Sequence, residues 1–146
     1  MISLIPYTKI LLVLLLSAII GFERERSHKE AGLRTVMLIS LGTVTFTLVP
    51  FTLLDIAKTL PIIFDFSRIL AYIIGGIGFL SGIVIIVKKN TVEGITTSAC
   101  IFSTVAFSMM IGLGEYILGS FIALCTWIVL ISKYYSIKKK RGKKNG

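Results

Sequence analysis

The chain has 146 residues, a formal net charge of +9 and a mean hydropathy of +0.91. More than half of its residues are apolar, more than one compact domain of this length can bury, so most of the surface is expected to face lipid. The basic excess lies in short runs between apolar spans, which points to membrane topology and excludes nucleic acid as the reason for it.

A spanning helix needs about 20 mostly apolar residues. Five segments qualify, at about 6–22, 35–54, 69–87, 94–112 and 116–132. The expected fold is therefore all-α, a polytopic membrane bundle of about five helices over residues 1–136, followed by a basic tail at 137–146. Pro6 suits a first helical turn, and Lys9 is expected to snorkel outward. Gly21-Phe22-Glu23-Arg24 is not a small-residue cleavage site, so the first segment reads as a retained helix rather than a leader. The apolar stretch 94–132 is too long for one helix and breaks at Gly112-Leu113-Gly114-Glu115.

Of the 16 Lys and Arg residues, 13 fall in the loop after the first segment, the loop after the third and the stretch from Lys133 onward. Lys9, Lys58 and Arg68 fall on the other side. That asymmetry places the N-terminus outside and the C-terminus in the cytoplasm.

Helices in lipid associate by close packing and interhelical hydrogen bonds, so small and weakly polar residues are informative. Ser40, Thr43 and Thr47 share one face of the second helix. Gly75, Gly78 and Gly82 share a face of the third, and Thr97, Cys100, Thr104 and Ser108 a face of the fourth. The expectation is that these faces meet inside the bundle, with the third helix as its close-packed centre. A hydroxyl-lined path for an ion or water is the alternative. Gly32-Leu33-Arg34-Thr35 and Gly94-Ile95-Thr96-Thr97 both open helices after basic loops, and Gly-Phe pairs (21–22, 78–79) precede those loops. The pattern suggests two parallel copies of one hairpin, whose helix N-termini would favour an anion or carboxylate.

The charged residues form two groups. Glu23, Arg24, Glu25 and Arg26 close the first helix, and Glu23 could pair with Arg34 either as a structural salt bridge or as a working pair. Asp65 can cap the third helix and pair with Arg68. His28 reads as a solvated loop residue and Glu115 as an exposed turn residue. Cys100 and Cys125 lack metal-ligand spacing and read as packing residues. No nucleophile–base set, phosphate loop, cofactor motif or metal cage is visible, so no enzyme, cofactor or metal is expected.

The block Gly21-Phe22-Glu23-Arg24-Glu25 with Ala31-Gly32-Leu33-Arg34-Thr35 resembles the opening signature of the MgtC/SapB membrane proteins. Asp65-Phe66-Ser67-Arg68-Ile69 with Gly76-Ile77-Gly78-Phe79-Leu80 is similar to their central motif, and Gly94-Ile95-Thr96-Thr97 with Gly112-Leu113-Gly114 to their third block. The resemblance implies a bacterial cytoplasmic-membrane protein linked to low-magnesium survival and virulence, with an F-type ATP synthase inhibitor as name-giving member. The chain departs from the pattern at Thr91 and Glu93, and in Ser98-Ala99-Cys100-Ile101-Phe102. A lysine-rich tail stands where many members carry a soluble domain.

The expected function is a non-enzymatic regulator that contacts another membrane complex during magnesium or ion stress, with a homo-oligomer as a further partner. Its candidate surfaces are Glu23, Arg24, Glu25, Arg34, Thr35, Asp65, Arg68, Gly78, Gly82, Gly94 and Thr97. The alternative is a small oligomeric transporter or channel for Mg2+, K+ or H+.

Overall fold

A computed structural model describes residues 4–57, 65–89 and 91–142, without the side chains of 55–57, 88 and 133–142. Lys58 and the last four residues of the tail lie outside the described residues. Those described form five helices: α1 (Ile5–Arg26), α2 (Leu33–Ala57), α3 (Phe66–Ile83), α4 (Ile95–Leu113) and α5 (Tyr116–Gly142). Among the described residues, α1 to α4 are long and apolar enough to cross a membrane, and α5 is apolar over Tyr116–Ser132. Large apolar side chains such as Leu15, Phe46, Tyr72, Phe79 and Phe121 stand exposed around the outside. That surface is the one lipid requires.

The expected third helix ends early. Its last turn is replaced by a two-stranded antiparallel hairpin, β1 (Ile86–Lys88) and β2 (Thr91–Glu93), with Ile86 opposite Glu93 and Val87 opposite Val92. The β-branched run Ile85-Ile86-Val87 favours this over another helical turn. Gly94 closes the hairpin neck in the left-handed region at φ 85°. A Cβ there would collide with the Val84 carbonyl, its carbon 2.9 Å away.

The centre of the bundle is α4, and this corrects the expectation that α3 lies there. Over its apolar window α4 is 56% buried, against 6% for α3. It touches all four other helices. Glycine placement explains the difference. A Cβ on Gly112 of α4 would stand 2.9 Å from the Thr47 side chain of α2, and one on Gly119 of α5 would stand 2.5 Å from Ile111 of α4. One on Gly21 of α1 would stand 2.8 Å from the Leu33 backbone of α2. These three glycines let helix axes approach to contact. Gly75, Gly78 and Gly82 have no described atom within 4 Å of a built Cβ, and of the described α3 side chains Ser81 alone is buried.

The hydroxyl faces of α2 and α4 are buried. Ser40, Thr43 and Thr47 donate to the carbonyls of Val36, Ile39 and Thr43 at 2.8–2.9 Å, and Ser108 donates to Thr104 O at 2.7 Å. Their protons are held by their own helices, which lets the two faces pack together. The two hairpins of the suggested repeat differ in packing: Gly21 sits in a tight crossing, whereas its counterpart Gly78 is open.

Lys9 does not snorkel outward. It is 9% exposed, and its Nζ donates to Gly112 O at 2.8 Å and lies 5.5 Å from the Phe51 ring centre. The end of α4 exposes carbonyls that a cation can satisfy, and an aromatic face adds attraction. Gly114, at φ 104°, ends α4 with its N–H on Ile111 O.

Crowding predicts opposite outcomes for two glycines. Gly112→Val should cost about 1–3 kcal/mol, whereas Gly78→Val should change stability by less than about 0.5 kcal/mol. Thermal unfolding in one detergent, followed by helical circular dichroism, compares them directly.

Candidate functional site

The last turn of α1, the loop to α2, the hairpin, the first turn of α4 and the middle of α5 surround an open cleft of about 1740 Å3. Its polar end holds Glu23, Arg24, Arg26, Lys29, Glu30, Glu93 and Thr97; its apolar side includes Ile19, Phe22, Trp127 and Val129.

Arg24 reaches this place because it continues the inward face of α1. Lys9, Val13, Ser17, Ile20, Gly21 and Arg24 are the buried residues of that helix, spaced at three and four. At 3% exposure, Arg24 is among the most deeply buried charged groups of the described chain. Its Nη2 donates to Thr97 Oγ1 on α4, and the Thr97 hydroxyl donates to Glu30 Oε2 at 3.0 Å. The guanidinium is thus linked to a carboxylate through one hydroxyl. Arg24 Nε and Glu23 Oε2 are buried without a hydrogen-bond partner.

The structure resolves the Glu23–Arg34 expectation differently. No ion pair joins them among the described residues. Glu23 Oε1 accepts from the Ser27 hydroxyl at 2.8 Å, and Arg34 is exposed, as is Thr35. The residue that crosses to another helix is Arg24. The helical register explains this: Arg24 lies on the buried stripe of α1, whereas Arg34 opens α2 on an outward face.

Carboxylates meet two helix N-termini at this end. Glu25 Oε2 accepts from Leu33 N of α2 at 3.0 Å, and Glu30 reaches the first turn of α4 through Thr97. Both placements suit the positive end of a helix dipole. The Glu30 carboxyl is held below the usual glutamate range, chiefly by its own backbone N–H, then by the Thr97 hydroxyl, with Lys29 and Arg24 assisting.

Asp65 and Arg68 lie apart from the cleft. Asp65 Oδ1 accepts from Ser67 N at 3.1 Å and Arg68 N at 3.3 Å, capping α3, and Oδ2 lies 3.7 Å from Arg68 Nε. The Ser67 hydroxyl, at 2.6 Å, and then the Arg68 N–H hold the Asp65 carboxyl below its ordinary range. Gly78 and Gly82 line an open groove between α3 and α4, with Ser81 on one side and Ser98, Ala99 and Phe102 on the other, and Gly94 forms the neck beside Thr97. Glu30, Lys9 and the glycines at 21, 112 and 119 were not among the candidates drawn from the sequence. The stripe from Lys9 to Arg24 is the signal that points to the first helix's inward face. Among the described residues, no group of three or more His, Cys, Asp or Glu side chains could hold a metal ion.

An all-α bundle with a buried guanidinium clamp at one end and a lipid-matched outer surface defines a polytopic membrane protein. A family profile described as the MgtC family matches residues 10–138. The chain is 36% identical over 123 residues to YhiD of Escherichia coli (strain K12), named as a candidate magnesium transporter, covering 84% of this chain and 57% of that one. It is 33% identical over 129 residues to the protein MgtC of Salmonella typhimurium (strain LT2), covering 86% and 52%. It is 31% identical over 129 residues to the protein SrpB of Synechococcus elongatus, covering 81% and 70%. No solved structure matches. The chain belongs to the MgtC family, and it spans little more than half the length of YhiD and MgtC.

Two outcomes follow from the clamp. Thr97→Val removes the acceptor of a buried guanidinium and should cost about 1–3 kcal/mol in thermal unfolding, while Thr96→Val should be close to neutral. Glu30 has a depressed carboxyl, so its contribution is present above the unfolded-state value and is lost as pH falls through the folded value. The difference in melting temperature between the native chain and Glu30→Gln should therefore be full at neutral pH. It should shrink below the ordinary glutamate range and vanish in stronger acid.

Proposed function

We propose that this chain is a non-enzymatic regulator in the bacterial cytoplasmic membrane, with its N-terminus outside and its basic end in the cytosol. It works by docking the open glycine face of α3, beside α4, onto a transmembrane helix of another membrane complex. The observation that carries this reading is the open glycine face of Gly75, Gly78 and Gly82. In lipid, a small-residue face on a helix surface allows close backbone approach by a second helix. Asp65 and Arg68 stand at the entrance of the same helix and could fix the partner's register.

The name of YhiD supports a link to magnesium, and the family resemblance suggests the wider link to ion stress. The F-type ATP synthase, which the family resemblance suggests, is the first complex to test. A second copy of the chain is the other occupant suited to a glycine face. The transporter reading draws on the name of YhiD. Against it stands the use of the α2 hydroxyl protons and that of Ser108 on their own backbones, with the two faces abutting at Thr47 and Gly112.

Affinity capture in mild detergent tests the docking surface. Gly78→Leu should reduce recovery of a copurifying membrane complex about tenfold, the equivalent of roughly 1.4 kcal/mol, while leaving the melting temperature unchanged. Undiminished recovery would reject the α3 face. Ion flux by the purified chain in liposomes would favour transport instead.

A further inference from the structure

We propose that the cleft at the end of α1 binds a phospholipid whose headgroup carries both a phosphate and a primary ammonium, the phosphatidylethanolamine class. This goes beyond the docking role of α3, which uses a separate groove lined by Gly78 and Gly82.

Two polar atoms lack partners where they are most costly. Arg24 is 97% buried, and its Nε makes no hydrogen bond; Glu23 Oε2, on the adjacent residue, is also buried and unpartnered. Both residues line the cleft. A buried donor on a cation and a buried acceptor on an anion are each expensive to leave unmade. A phosphate oxygen satisfies the first and an ammonium hydrogen the second. The first turn of α4, which has no side-chain cap and contributes Gly94 to Thr97 to the lining, adds backbone donors for the phosphate.

The charge balance selects a neutral ligand. Arg24, Arg26 and Lys29 face Glu23, Glu30 and Glu93 around the same opening. A simple anion would meet three carboxylates and a simple cation three basic groups. A zwitterion can meet both sets. A quaternary ammonium has no N–H to give Glu23, so a primary amine is favoured over choline.

The walls select a lipid over a soluble phosphate ester. Phe22 is 63% and Val129 67% exposed on the outer surface beside Trp127. Acyl chains can follow these side chains out into the bilayer while the headgroup stays at Arg24.

Trp127 is the single tryptophan of the chain and provides the probe. The full chain is reconstituted in phosphatidylcholine bilayers with small amounts of dibrominated phosphatidylethanolamine, phosphatidylcholine or phosphatidylglycerol, all with the same acyl chains. Half-quenching of Trp127 should require about tenfold less of the ethanolamine lipid, the effect of one charge-assisted hydrogen bond. Glu23→Gln should abolish the preference over phosphatidylglycerol and leave the helical content intact. Arg24→Gln should make the three lipids equivalent; if it unfolds the chain, Glu23→Gln decides alone. Equal quenching by the three lipids in the native chain, or an unchanged ethanolamine preference in Glu23→Gln, overturns the proposal. Protection by free phosphoethanolamine combined with equal lipid quenching reassigns the site to a soluble phosphate ester and overturns the lipid.

Discussion

A guanidinium cannot be left alone near hydrocarbon. On insertion scales an arginine at the centre of a spanning helix costs about 2.5–3.5 kcal/mol. Arg24 escapes part of that cost by sitting near a helix end, and part by reaching Thr97 on another helix. The single hydroxyl it uses also donates to Glu30. The last turn of α1 and the loop that follows it are thereby held to the first turn of α4, 73 and 67 residues further on. The cleft, the capping of α2 by Glu25 and the seat of the hairpin neck at Gly94 are arranged around this contact.

Close approach of helices is the second constraint, and it decides which helix becomes the centre. Three glycines, at 21, 112 and 119, each stand where any larger residue would strike a neighbour. They join α1 to α2, α4 to α2 and α5 to α4. The glycines of α3 do no such work inside the chain. This division gives the molecule a tight four-helix body and a fifth helix, α3, that rests on it with most of its surface turned outward.

Much of this was legible in the sequence. Long uncharged spans identified the helices, because no other local structure satisfies its backbone in lipid. Asp65 announced its cap, since an Asp just before an apolar run has one obvious use. Three features were not legible. The run Ile85–Val87 is as apolar as the helix before it, so composition could not separate strand from helix. The glycine stripe of α3 had better spacing than the single glycines that form the close contacts. A stripe records the capacity for close packing, not the identity of what approaches. Arg34 was the partner the sequence offered Glu23, because adjacency across a loop is easy to see, whereas the arginine that reaches another helix is set by helical register. Following Val13, Ser17, Ile20 and Gly21 to Arg24 would have shown which arginine faces inward.

The Lys9 bond to the end of α4 has a consequence for how the chain is made. The amine leaves the ribosome before its acceptor, the carbonyl of Gly112, which follows 103 residues later. Until then a charged amine in the first helix has no α4 carbonyl to meet. Until the fourth helix arrives, the Lys9 stem can carry the amine to the membrane surface, and its final seat at Gly112 is taken only afterwards.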